Sequence, residues 1–486
     1  MTQPHPLHAL PLQPRFTTLS PRFYTPTAPT PMPGAEVVAL NQPLAQALGL
    51  DLAATPDLAD YLLGNRIPQG SQPVASVYSG HQFGVNVPQL GDGRALLIAE
   101  FAAPDGEIWE WQLKGAGPTP YSRRGDGRAV LRSSIREYLA SEALHHLGIP
   151  TTRALALAAS PQRVWRETAE TAAVVSRLAP SFVRFGHFEY YFYQGEPERI
   201  RELADWVIRH HYPACQAAEQ PYLALLQAVI SRTATLIAHW QAVGFCHGVM
   251  NSDNMSILGL TLDYGPYGFL DGFDAGHICN HSDDSGRYAY NQQPQIGLWN
   301  LHCLAQALLP LIEREDLLAA LSDYQPQFEA AFAELLQRKL GFSQWLDEDW
   351  TLVTDLFELM QATHTDWTIF WRTLSHWPVQ QNSAELRDLF LARTQFDDWL
   401  ERYAARLQDG VDAASRSAQM LATNPKYILR NHLAELAIQA AQRGDYREVQ
   451  QLELCLRQPF AEQPEFAAYA ALPPSWASEL SVSCSS

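Results

Sequence analysis

His247-Gly248-Val249-Met250-Asn251-Ser252-Asp253-Asn254, followed shortly by Asp263-Tyr264-Gly265, is the stretch on which the reading of this chain turns. It is short, irregular in composition and rich in side-chain oxygens. Asn254 and Asp263 offer an amide and a carboxylate oxygen, the donors a hard divalent ion takes when it also holds phosphates. Asp253 stands beside Asn254 as a carboxylate that can accept a proton. Upstream, residues 221–243 form a long amphipathic stretch, and downstream 297–313 and 315–338 repeat that pattern. Between them the 255–275 segment reads as a β-rich interruption, with Ile257 to Leu262 as a short hairpin.

Toward the N-terminus the pattern changes to strands. Arg94 to Phe101 is an apolar run of strand length, and Asp105-Gly106 behind it is a hairpin signal. In Ile108 to Lys114 the alternation sets Trp109, Trp111 and Leu113 on one face and Glu110, Gln112 and Lys114 on the other. Residues 130–147 carry Leu131, Ile135, Tyr138 and Leu139 at helical spacing, and Gly148 and Pro150 end that helix. A strand lysine, Lys114, and a glutamate on the next helix, Glu137, make the pair that fixes an ammonium against phosphates. Gly91-Asp92-Gly93-Arg94 suits a plain hairpin turn and equally a loop whose backbone N–H groups approach a phosphate. Arg123, Arg124, Arg128, Arg132 and Arg136 are dense for so acidic a chain. The spacing of the last three predicts one helix face of guanidiniums, solvated or phosphate-binding, with Asp126-Gly127 at a turn inside the cluster.

Set against the catalytic loop of protein kinases, H-R-D-x-x-x-x-N followed by D-F-G, His247 falls on the histidine, Asn254 on the metal-binding asparagine and Asp263 on the D-F-G aspartate. The catalytic-base aspartate falls on Val249, which cannot accept a proton. Asp253 is the nearest carboxylate that can replace it, and His247 reads as a brace for the loop. The predicted fold class is α+β, a protein-kinase-like two-lobed fold with a strand-rich N-terminal lobe and an extended, mostly helical C-terminal lobe. The expected boundaries are a proline-rich arm at 1–34, an N-lobe at 35–190, a C-lobe with the catalytic segment at 191–345 and a helical extension at 346–486. Nine prolines in residues 1–34 make the arm extended. Helices of the extension are expected to break at Pro378 and Pro425.

With these residues placed, the chain resembles the selenoprotein O family of pseudokinase-like protein adenylyltransferases, from about residue 15 to the end. Its most specific segments are Tyr78-Ser79-Gly80-His81-Gln82-Phe83-Gly84, the run from Gln112 to Ser122, His247 to Asn254, Asp263-Tyr264-Gly265-Pro266 and the terminal Cys484-Ser485-Ser486. Some members carry selenocysteine where this chain has Cys484. The resemblance implies a kinase-like fold that binds ATP flipped and transfers AMP to a protein hydroxyl, with pyrophosphate leaving. It implies Lys114 on the phosphates, braced by Glu137. By the same resemblance Gly91, Gly93, Arg94, Asp126, Gly127, Arg177 and Arg184 should line the nucleotide site, Asp253 should be the base, and Asn254 and Asp263 should be ligands of Mg²⁺ or Mn²⁺. Arg177 and Arg184 rest on the resemblance alone. Cys279 and Cys484 are carried forward as a candidate redox pair. Two other readings remain open: a metal-dependent phosphotransferase with Asp253 as a displaced base, and an inactive nucleotide-binding scaffold, to which Val249 lends weight.

Bulk properties bound the partners. Hydrophobic residues are 47% and charged residues 18% of the 486, ordinary for a globular chain with a sizeable core. A net charge of −18 repels polyanions, which argues against nucleic acid or an anionic membrane as partner. Six cysteines with no paired spacing fit a reducing compartment and give no zinc pattern. No apolar run is expected to approach the ~20 residues of a membrane span. The N-terminus lacks a basic start followed by an apolar block, so a cytoplasmic protein is expected.

Overall fold

Among the described residues, twelve strands gather before residue 270, and helices take over beyond them. The computed structural model describes residues 4–482. The strands are β1 (Tyr24–Pro26), β2 (Glu36–Leu40), β3 (Val74–Ser76), β4 (Gly80–Gln82), β5 (Val85–Val87), β6 (Ala95–Ala102), β7 (Ile108–Lys114), β8 (Ala129–Val130), β9 (Arg153–Trp165), β10 (Ala169–Ala179), β11 (Phe245–Cys246) and β12 (Gly268–Phe269). Eight of them form one sheet in the order β1-β3-β6-β7-β10-β9-β2, with β8 added on β10. Its pairings are antiparallel. β4 and β5 make a separate hairpin, and β11 pairs with β12.

The alternation of β7 separates two cores, as the sequence predicts. Trp111 and Leu113 belong to a cluster with Leu7, Leu10 and Met32 of the N-terminal arm and with α1 (Gln42–Ala47) and α2 (Leu58–Leu63). The arm covers the outer face of the sheet and adds β1 at its edge, where Pro26 is tolerated. The inner face packs on α3 (Leu131–His146), whose Ile135, Tyr138 and Leu139 enter the largest core. That core continues into α4 (Phe185–Gln194), α5 (Pro197–His211), α6 (Pro221–Val243), α7 (Gln293–Leu308), α8 (Arg314–Ser322) and α9 (Tyr324–Leu340). Seven more helices run between Asp349 and Leu456. The chain is therefore α+β, with a sheet-rich N-terminal and a helical C-terminal region.

Several local expectations are corrected. The 255–275 segment is not β-rich: apart from Gly268–Phe269 it is irregular, tied by single bridges of Thr261 to Thr151 and of Ser256 to Arg184. Ile257 to Leu262 form no hairpin; the apolar side chains that suggested one are buried without a partner strand. The 315–338 helix is two helices, because the Pro326 ring clashes with the carbonyl four residues back and forces a restart at Tyr324. Pro378 does not break its helix, which runs from Trp367 to Gln380 with the proline near its end. Against the expectation of no span-like run, α6 is long and apolar enough to cross a membrane by length and composition; half of its apolar window is buried, and it packs on α9.

Candidate active site

β7 ends in Lys114 between β6 and β10, so its side chain leaves the inner face toward α3. There Nζ lies 2.6 Å from Glu137 Oε2, and both residues are buried. Arg177 on β10 enters the same spot: Nη1 donates to Glu137 Oε1 at 3.2 Å and to Asp263, and Nη2 donates to Gln112 Oε1 at 2.6 Å. Arg184, N-cap of α4, donates to the other Asp263 oxygen and, at 3.0 Å, to the Asp253 carbonyl. Lys114 completes the knot at 3.4 Å from Asp263. Burial alone would raise the Asp263 carboxyl; Arg184, Arg177 and Lys114 outweigh it and hold the group well below the usual carboxylate range. Burial likewise lowers the Lys114 ammonium, against the attraction of Glu137 and Asp263.

These groups open onto a cavity of about 520 Å³ between the sheet and the helical region. It is lined by Gly91, Gly93, Arg94, Lys114, Asp126, Gly127, Arg177, Asp253, Asn254 and Asp263, nearly all the residues chosen from sequence. Arg184 acts from behind, through Asp263. Six cations, Arg94, Lys114, Arg123, Arg128, Arg166 and Arg177, face it in a chain of net charge −18. The volume and lining suit a nucleoside triphosphate. Asn254 Nδ2 donates to the Val249 carbonyl at 3.0 Å, leaving its Oδ1 as the atom able to ligate. That amide oxygen and the Asp263 carboxylate form an all-oxygen set that fits Mg²⁺ or Mn²⁺. Asp253 is buried, with Gln82 Nε2 on one oxygen at 3.2 Å and no partner for Oδ1. Burial raises its carboxyl to about 7, only partly offset by Gln82. His247, buried, hydrogen-bonds the Leu262 carbonyl through Nε2 at 3.0 Å and so braces the segment between Asn254 and Asp263.

A family model described as protein adenylyltransferase SelO matches residues 6–457. The chain belongs to that family. Among curated relatives, the protein nucleotidyltransferase YdiU of Cupriavidus pinatubonensis (strain JMP 134 / LMG 1197) is 54% identical over 98% of this chain and 95% of its own length. Its namesake from Burkholderia pseudomallei (strain K96243) is 55% identical over 98% of this chain and 96% of its own. The chain is accordingly a protein nucleotidyltransferase of the SelO family.

Within this family member the arginine cluster is not the single helix face expected. The helix begins at Leu131, since Ala129–Val130 are drawn into the sheet as β8, so Arg128 stands outside it and donates to the Thr30 carbonyl at 2.9 Å. Arg132 pairs with Glu170 at 3.0 Å, and Arg136 donates to the Tyr267 carbonyl at 2.7 Å and lies over the Tyr267 ring. Neither lines the cavity. Asp126 holds Arg166 through both oxygens and caps the Arg128 N–H. Gly127 is required: at φ +68° its Cβ would meet the Gly117 carbonyl at 2.2 Å. Of the Gly91–Arg94 turn, Asp92 is structural, accepting the Ser76 N–H at 3.0 Å and the Ser76 hydroxyl at 2.6 Å.

Sequence reasoning missed Gln82 as the partner of Asp253, and Arg166 and Asn251 as lining residues. Arg166 follows β9 in the turn to β10, and nothing in its local sequence marks it. Cys279 is a buried free thiol whose Sγ reaches the Cys246 carbonyl at 3.4 Å. Its suggested partner, Cys484, lies outside the described residues; the chain just before it passes close by, since His281 N–H donates to the Val482 carbonyl at 2.9 Å.

Proposed function

We propose that this cleft transfers AMP from ATP to a serine, threonine or tyrosine hydroxyl of a protein and releases pyrophosphate. The observation that carries the reading is Asp253: a buried carboxylate with one unpartnered oxygen, beside a cradle of Lys114, Arg177 and Asp263. The acceptor oxygen bonds to the α-phosphorus, the bond from that phosphorus to the bridging oxygen of the β-phosphate breaks, and the hydroxyl proton passes to Asp253. Lys114 is held for the phosphates by Glu137, and the exposed Arg94 and Arg123 reach the outer phosphates. Asn254 and Asp263 would hold Mg²⁺ or Mn²⁺, which when bound neutralises phosphate charge. Val249 at the usual base position favours presentation of the α-phosphate, in a kinase-like cleft that binds the nucleotide flipped. The free thiols and acidic charge agree with a cytoplasmic enzyme that engages neither nucleic acid nor membrane.

The test is incubation of the enzyme and a protein mixture with ATP labelled at the α or the γ phosphate, with α-labelled UTP alongside. Protein label from α-ATP is the expected result, and α-UTP label would extend the donor to UMP. Label only from the γ position would mean phosphotransfer, and none with nucleotide still bound would mean a scaffold. Asp253→Ala is expected to abolish transfer while sparing nucleotide binding; full activity in that variant would remove Asp253 from the role.

A further inference from the structure

Behind the cleft, three residues distant in sequence bring a metal-ligand set together. His81 is on the β4–β5 hairpin, Glu189 on α4 and Cys303 on α7. One ligand atom from each lies within 4.8 Å of the others. His81 Nδ1 is 2.5 Å from Glu189 Oε2, and the Tyr193 hydroxyl reaches Nε2 at 3.3 Å. Glu189 is 1% exposed and its Oε1 has no hydrogen-bond partner, an orphaned buried oxygen among a nitrogen and a thiol. Buried polar atoms without partners are uncommon, and this one points to a missing ligand.

We propose that His81, Glu189 and Cys303 form a second metal site, separate from the cleft, that binds Zn²⁺. The donor chemistry decides the ion. A nitrogen, a carboxylate oxygen and a thiolate suit borderline-soft Zn²⁺, whereas the oxygen-only pair in the cleft suits Mg²⁺ or Mn²⁺. Charge also balances: a Glu189 carboxylate and a Cys303 thiolate neutralise the ion, with the thiol proton released to solvent. Burial and the Glu189 carboxylate raise the Cys303 thiol, and the neighbouring Arg287, over Trp299 at 4.5 Å, offsets this only in part. Zn²⁺ binding at Nδ1 requires the Nε2–H tautomer of His81, so a hydrogen bridging Nδ1 and Glu189 Oε2 moves to Nε2 by exchange with solvent. Bonds of about 2.0–2.3 Å in a tetrahedron separate ligand atoms by roughly 3.3 Å or more, so the His–Glu pair opens by about 1 Å. Tyr193 then accepts the Nε2–H, fixing the tautomer with Nδ1 bare. His81 is the most exposed of the three, leaving a fourth position for water.

The site acts on the cleft through the hairpin. His81 N–H donates to Ser252 Oγ at 2.7 Å, and Gln82, next along, holds Asp253. A metal that ties His81 to α4 and α7 fixes the hairpin against the catalytic segment. His81 is thus a positioning residue.

The test uses the full chain, stripped with chelator and titrated with Zn²⁺ and, separately, Co²⁺. One Zn²⁺ per chain at micromolar affinity is expected, with a thiolate-to-cobalt charge-transfer band that saturating Mg²⁺ and ATP leave in place. Cys303→Ser should abolish the band, and the near-isosteric Glu189→Gln should weaken Zn²⁺ binding about 100-fold while the fold by circular dichroism is kept. Absence of the band in the wild-type protein, or zinc stoichiometry unchanged in a His81→Ala/Cys303→Ser variant, overturns the proposal. Both readouts are independent of transfer activity, so failure here leaves the reading of the cleft standing, and the reverse.

Discussion

Glu137→Gln is the sharpest probe of the charge knot. Three buried cations, Lys114, Arg177 and Arg184, face two carboxylates, Glu137 and Asp263. The substitution keeps the shape, takes the knot from one net positive charge to two, and strips Lys114 of its 2.6 Å partner. Removing one member of a buried ion pair costs about 3–5 kcal/mol, within a total stability of about 5–15. The variant should therefore fold but unfold at lower urea. Lys114 then drifts toward Asp263, and a pre-aligned charge is lost from the phosphates. Losing one such group lowers turnover by about 10²–10³-fold. Lys114→Met should cost about the same, and the double variant little more than either alone, because Glu137 acts through the lysine. The assay is kcat/KM for AMP transfer across this four-member cycle, with circular dichroism and nucleotide affinity measured in parallel. Multiplicative losses in the double variant, or Glu137→Gln within threefold of wild type, would refute the coupling.

Lys339 is buried with no acidic partner among the described residues, its Nζ 4.4 Å from the Trp371 ring, and burial lowers its ammonium to about 7. The unfolded chain, near 10.5, binds the extra proton between those values, so stability rises with pH from about 7 upward and the penalty is complete below. Lys339→Met should thus gain about 3 kcal/mol over wild type at pH 6 relative to pH 9 in urea unfolding, and a pH-independent difference would count against this. Gly186→Ala places a Cβ 2.1 Å from the Ser79 carbonyl, beside Asp253; a cost of about 1–3 kcal/mol and a clear loss of turnover are expected, and wild-type activity would show that the close approach is dispensable. Arg94→Ala and Arg123→Ala, both exposed on the cavity, should raise KM for ATP and flatten its salt dependence with kcat within about threefold; a fall in kcat with KM unchanged would reverse that assignment.

Much of the site was legible because it lies in local segments with fixed spacing. The alternation of Ile108 to Lys114 predicted which face carries Lys114, and helical spacing placed Glu137 on the helix opposite. The catalytic segment gave Asp253, Asn254 and Asp263 together because they share one loop. What failed was tertiary in origin. Arg128 reads as helical until β10 claims residues 129–130. Ile257 to Leu262 read as strand because apolar alternation reports burial, whichever backbone delivers it. Arg166 reaches the site from a turn and pairs with Asp126, 40 residues away, and Gln82 reaches it from a hairpin held by Ser252 and Asp253, 171 residues away. The His81, Glu189 and Cys303 group spans three elements, so no sequence spacing could reveal it.

The cleft divides its cations by mobility, and on the proposed reading that division is what would let an acidic protein grip a triphosphate. Arg177 is committed: its two terminal nitrogens serve Glu137, Asp263 and Gln112 at once. Arg184 is likewise committed to Asp263 and to the Asp253 carbonyl. Neither can swing toward a ligand without abandoning buried carboxylates, so their work is to hold Asp263 ionised and still. Asp263 sits at φ +57°, a left-handed conformation aspartate tolerates better than most residues, and the two guanidiniums fix it there. Arg94 and Arg123 are exposed and form no ion pair among the described residues. They can close on phosphate oxygens at the cost of side-chain freedom alone. On that reading, a pre-organised inner set would hold the fixed charges where negative charge develops during transfer, and an adaptable outer set would capture the polyanion without disturbing them.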